Sequence, residues 1–158
     1  MPKGCNNDYK KIFISWSGEN SKKIAIEIKN ALQDMFKMAE LECFVSEVDI
    51  NSGDDWWNSI KTELKRCKIG IACITKENLK APWIYFESGA IVARNIKLIP
   101  LLVNCSISSL KETPLSSKHM VDFYNRESFI RMIKTINKDL KLLNIDDSNL
   151  RLIAIDGY

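Results

Sequence analysis

The chain has 158 residues, 46% of them hydrophobic and 27% charged, with a formal net charge of +3. That is enough sequence for one compact domain with a sizeable core, and its scattered lysines argue against a nucleic-acid-binding surface. Five cysteines, odd in number and without C-x-x-C spacing, argue against a disulfide framework and suit a reducing, cytosolic compartment; no apolar stretch approaches bilayer-spanning length, so no membrane partner is expected.

Behind a polar lead-in of residues 1–10, residues 11–16 form a short apolar run, and Ser17-Gly18-Glu19-Asn20-Ser21 supplies turn and helix-cap chemistry. A strand feeding a helix is expected, and Ile24, Ile28, Ala31, Leu32 and Met35 continue at helical spacing. Residues 41–45 predict a second strand before residues 46–55 turn polar. A second helix is expected to open at Ser52-Gly53-Asp54-Asp55, where acids suit the helix dipole, with Trp57, Ile60, Leu64 and Cys67 as its apolar stripe. Residues 69–75 are nearly all apolar, as in a central parallel strand covered on both faces. Pro82 suits the first turn of a third helix over residues 83–94. Residues 96–103 predict a fourth strand, in which Pro100 removes a ladder donor and points to an edge or a bulge.

From residue 104 to residue 125 the periodicity fades into a long connection with room for a short strand or helical turn. Phe129, Ile133, Ile136 and Leu140 mark a final amphipathic helix. The domain is thus expected over residues 11–142. The tail, residues 143–158, carries Leu150, Leu152, Ile153 and Ile155, enough to pack on the domain or to dock onto a neighbour.

Alternating strands and helices with short connections specify an α/β fold: a flavodoxin-like, doubly wound, mostly parallel sheet of four to five strands with helices on both faces. In such a sheet the connections of the first and third strands leave in opposite directions, and ligands bind in the crevice this opens at the carboxyl ends. Residues expected at its mouth are Ser15, Trp16 and Ser17, the loop after the second strand, and the helix fed by the third strand.

Four features converge there: Phe13-Ile14-Ser15-Trp16-Ser17, the loop Asp49-Ile50-Asn51-Ser52-Gly53-Asp54, Trp57, and Trp83-Ile84-Tyr85-Phe86-Glu87-Ser88-Gly89-Ala90. In this order the set resembles the TIR (Toll/interleukin-1 receptor) domain family, over roughly residues 11–103 and with the last helix also in place. The nearest likeness is to bacterial TIR domains of anti-phage defence, which carry a Trp-x-x-x-Glu pattern on the third helix and consume NAD. The resemblance implies Glu87 as the catalytic carboxylate. It also implies Ser15, Trp16, Ser17, Asn51, Ser52, Gly53, Asp54, Trp57, Trp83 and Phe86 as substrate-binding candidates, with Ser15 and Ser17 as hydrogen-bond partners and Trp16 as a stacking surface for nicotinamide. It further implies self-association through TIR–TIR contacts of the loop 46–55, and a fused or separate effector or sensor.

The spacing agrees with a site: Trp83 and Glu87, four apart, share one helix face, and small residues follow the acid, permitting close approach. Trp83 and Phe86 can equally be core aromatics, and the loop acids can equally serve a helix N-terminus. Other chemistries lack their residues. His119 is the one histidine and has no paired nucleophile, no metal-ligand cluster is visible, and no glycine-rich phosphate loop follows the first strand. No cofactor is expected, and NAD enters as substrate. Two readings stay open beside NAD cleavage: a non-catalytic interaction module, and an enzyme resembling nucleoside deoxyribosyltransferases.

Overall fold

The computed structural model describes residues 10–46 and 56–158, and of Trp56 and Trp57 the backbone alone. Five parallel strands, β1 (Lys11–Ser15), β2 (Glu42–Val45), β3 (Ile69–Thr75), β4 (Lys97–Val103) and β5 (Val121–Asp122), lie in the order β2-β1-β3-β4-β5. This is the flavodoxin-like order. Around the sheet run α1 (Glu19–Met35), α2 (Trp56–Leu64), α3 (Pro82–Ala93), α4 (Arg126–Leu140) and α5 (Asp147–Gly157).

Residue alternation along the strands divides the core in two. Ile12, Ile14, Ile71 and Cys73 meet α1, α4 and α5, whereas Phe13, Ala72, Ile74 and Leu102 meet α2 and α3. β3 is buried at every residue, because helices cover both its faces. Pro100 stands next to the edge strand, one residue before the two-residue ladder to β5 begins at Leu101. The connection after β4 holds a 3-10 turn (Ile107–Leu110) as well as β5. The tail forms α5, whose Leu150 and Ala154 are buried and which packs on α4 and α1.

Two local expectations change. The first helix has no side-chain cap: its N-cap is Gly18, at φ 90 and ψ 160, a conformation that glycine alone adopts freely. Ser21 Oγ instead accepts from Ser17 N and donates to the carbonyl of Cys73, tying α1 to β3. At Gly89, two residues after Glu87, no other part of the described chain comes close, since a Cβ there would meet nothing within 4 Å, whereas Ser88 is buried and Ala90 packs on the core.

Candidate active site

At the carboxyl ends of β1 and β2 two serines stand side by side. Register pairs Ile14 with Val45, and Ser46 N donates to Ile14 O at 3.0 Å, so Ser46 prolongs β2 by one residue and sits level with Ser15. Alternation sends both side chains to the face that α3 covers, the face shared by Phe13 and Phe44. Both serines are fully buried.

On α3 the inward stripe is Ile84, Glu87, Ser88 and Ile91, spaced i, i+3, i+4, i+7. Glu87 therefore occupies a core position, with 0% exposure. Its Oε2 accepts hydrogen bonds from Ser15 Oγ and from Ser46 Oγ, the latter at 3.2 Å. Among the described residues Oε1 accepts no hydrogen bond of ordinary geometry. Burial pushes the carboxyl up to about 7, against the pull of hydrogen bonding from Ser15, Ser46 and the Trp83 indole. No charged side chain among the described residues contributes. The arrangement is one buried acid with one oxygen held by two hydroxyls and, among the described residues, no charged partner, which responds strongly to a cation brought beside it.

The exit of β1 is braced by its neighbours. Trp16 donates its indole N–H to Ser46 O, and the Lys22 ammonium lies 5.3 Å from the centre of its ring. Ser17 offers its carbonyl to Asn78 Nδ2 at 3.2 Å, and Asn78, nearly fully buried, also donates to Cys73 O and accepts from Thr75 N. The carboxyl ends of β1 and β3 are thereby stitched together beneath the site.

Compared with known families, the sequence matches the TIR domain over residues 12–135. The chain belongs to the TIR domain family. A comparison with curated proteins gives no significant match.

Within this TIR domain the residues singled out from sequence fall into three groups. Ser15 and Glu87 are in direct contact, and Trp83 lies beside the acid, packed on the α2/α3 side of the core. Trp16 and Ser17 reach Glu87 only through neighbours, while Phe86 is 45% exposed and stacks on Trp83 at 5.6 Å. Asn51, Ser52, Gly53, Asp54 and the side chain of Trp57 lie outside the described residues. Ser46 is the contact that sequence reasoning missed; its signal is the symmetry of two serines closing two adjacent strands.

Two cavities lie away from the acid. One of about 840 Å³ lies at the opposite end of the sheet, lined by Ile96, Leu98, His119, Met120 and Arg131 among others. Another of about 580 Å³ opens beside Asn20, Thr75 and Tyr124 at the exit of β3. Neither is lined by Glu87, the fully buried titratable group on which the functional reading turns. Among the described residues no cluster of three or more His, Cys, Asp and Glu side chains is placed to hold a metal ion, and no helix is long and apolar enough to cross a membrane.

Proposed function

We propose that this TIR domain cleaves the nicotinamide–ribose bond of NAD, with Glu87 as the carboxylate that stabilises the cationic ribose of the transition state. The observation that carries this reading is the fully buried Glu87, with Oε2 held by two hydroxyls, the Trp83 indole beside the carboxyl, and no hydrogen bond of ordinary geometry to Oε1 among the described residues. Ordinary glycoside hydrolysis needs a second carboxyl to protonate the leaving oxygen. Nicotinamide instead leaves a cationic pyridinium as a neutral base and needs no acid. What remains is to stabilise an oxocarbenium-like ribose, and a preorganised anion in low dielectric does that. Substrate also supplies its own activation, since a pyridinium beside a carboxyl near pKa 7 favours the ionised form.

Water attacking the ribose gives ADP-ribose, and attack by a nucleophile of the substrate itself gives a cyclic isomer. We assign the activity to bacterial defence against phage, with NAD as substrate and no added cofactor. The single copy covers its acid completely, which supports activity that depends on self-association through the loop 46–55. The test is nicotinamide release from NAD by the purified chain, dilute and then concentrated or crowded, with a mass spectrum of the products. Turnover in the assembled sample, lost about 10²-fold or more in Glu87→Gln, is expected. Inactivity of every assembled sample, or full activity of Glu87→Gln, would sink the reading.

The same covering of Glu87 favours one second reading, a non-catalytic module for TIR–TIR contacts. Under it, self-association survives Glu87→Gln and NAD stays intact in all samples.

A further inference from the structure

We infer that Ser46 is a positioning residue held in place by Trp16, and that with Ser15 it fixes Oε2 of Glu87 so that Oε1 is the oxygen presented to substrate. The inference rests on the NAD reading for the word substrate, and on geometry alone for the rest.

Three groups of Ser46 are committed in three directions. Its N–H donates to Ile14 O at 3.0 Å, its hydroxyl donates to Glu87 Oε2 at 3.2 Å, and its carbonyl accepts the indole N–H of Trp16. Strand, helix and the exit of β1 therefore converge on one buried residue. With its backbone held on both sides the serine keeps χ1 as its remaining freedom, and the bond to Oε2 selects one staggered rotamer, so the hydroxyl is presented at a fixed place.

Trp16 takes a different part from a stacking surface. Its N–H is used by Ser46, and Lys22 sits over its ring. A nicotinamide ring stacking on that face would first have to displace a lysine, and it would bring its own positive charge toward that ammonium. The indole instead braces the serine that braces the acid.

The division between the two carboxylate oxygens follows. Oε2 receives two hydroxyl donors; Oε1 receives none of ordinary geometry among the described residues. Two hydrogen bonds on one oxygen restrain the carboxylate from rotating, so Oε1 keeps its direction while charge develops on the ribose.

The test titrates Glu87 directly in the full chain, labelled with carbon-13 at glutamate side-chain carboxyls and followed by NMR, its resonance assigned by its loss in Glu87→Gln. Ser46→Ala removes a donor to the charged form, so the midpoint should rise by about one unit, and Ser46→Thr, which keeps the hydroxyl, should return it toward the parent value. Trp16→Phe keeps a ring but drops the N–H, and should move the midpoint upward by less. With NAD, Ser46→Ala and Trp16→Phe should lower kcat about tenfold with KM nearly unchanged, the pattern of lost transition-state placement. Should Ser46→Ala fail to fold, Ser46→Cys, similar in size but a weaker donor, takes its place.

An unmoved midpoint in Ser46→Ala, a failure of Ser46→Thr to restore it, or a Trp16→Phe effect confined to KM would overturn the inference. The titration needs no turnover. If no form of the chain consumed NAD yet the midpoint moved as expected, Ser46 would stand as the positioning residue and the NAD reading alone would fall.

Discussion

Gly70 on β3 lies directly beneath Ile91 on α3: a Cβ on the glycine would stand 2.8 Å from Cδ1 of the isoleucine and 2.9 Å from its Cγ2. The missing side chain sets how low α3 rides over the sheet, and Ile91 is one turn beyond Glu87 on the same inward stripe. Gly70→Ala should therefore raise the helix and carry Glu87 away from Ser15 and Ser46. Overpacking of this kind costs about 1–3 kcal/mol. The expected result is a lower urea midpoint with an unchanged slope, together with a loss of nicotinamide release, and Ile91→Val in the same chain should recover part of both. Unchanged stability would mean that α3 shifts freely on β3.

Burial of Glu87 has a thermodynamic signature. Its pKa is about 7 in the folded chain, against 4.5 ordinarily. Between those values the folded state holds a proton that the unfolded state has released, so stability falls as pH rises through the window. The contribution is fully present below about pH 4.5 and lost above about pH 7, and at 1.36 kcal/mol per unit it amounts to about 3 kcal/mol at most. Glu87→Gln has no proton to lose. Relative to the parent it should gain stability steadily from about pH 5 to about pH 8, measured by urea denaturation across that range. A difference between the two chains that does not vary with pH would show that the carboxyl is not displaced.

Catalysis should depend on pH in the opposite sense, because the working form is the carboxylate. kcat/KM for NAD is expected to rise with pH along a one-proton limb centred near 7, and then to level. The limb in kcat should lie lower, since a bound pyridinium favours ionisation. A kcat/KM limb near 4.5 would instead show that the active assembly opens Glu87 to water.

Much of this was legible before the fold was seen, and the reasons differ residue by residue. The nearly all-apolar run of β3 and the alternation of strands with helices specify a doubly wound sheet, which places Ser15 at the crevice without any tertiary knowledge. The depth of Glu87 was also encoded, in the stripe Ile84, Glu87, Ser88, Ile91; the Trp83 to Glu87 spacing gave the helix face but not its burial. Ser46 escaped because the polar stretch it begins reads as loop, and its membership of the site depends on the register between β1 and β2. The partner of the Trp16 indole escaped for a stronger reason. A hydrogen bond between residues 30 apart leaves no periodic trace in sequence.

Asn78 offers a test of whether the floor of the site matters as much as the acid. It is 1% exposed, accepts from Thr75 N at 2.8 Å, and donates to Cys73 O at 2.8 Å and to Ser17 O at 3.2 Å. Asn78→Ala strands the Thr75 N–H and takes a donor from the Ser17 carbonyl, while Cys73 O keeps Ser21 Oγ, for a cost of about 2–4 kcal/mol. Asn78→Asp keeps the acceptor for Thr75 but turns a carboxylate oxygen toward the two carbonyls, and should destabilise at least as much at neutral pH and less in acid. Ser17 follows Ser15 by two residues, so releasing its carbonyl loosens the strand end that presents Ser15 to Glu87. Asn78→Asp should therefore lower kcat for NAD more than it raises KM, at temperatures where it is still folded. If activity survives while stability drops, the stitching between β1 and β3 serves the fold alone, and Ser15 is held by the sheet without help from the loop that follows it.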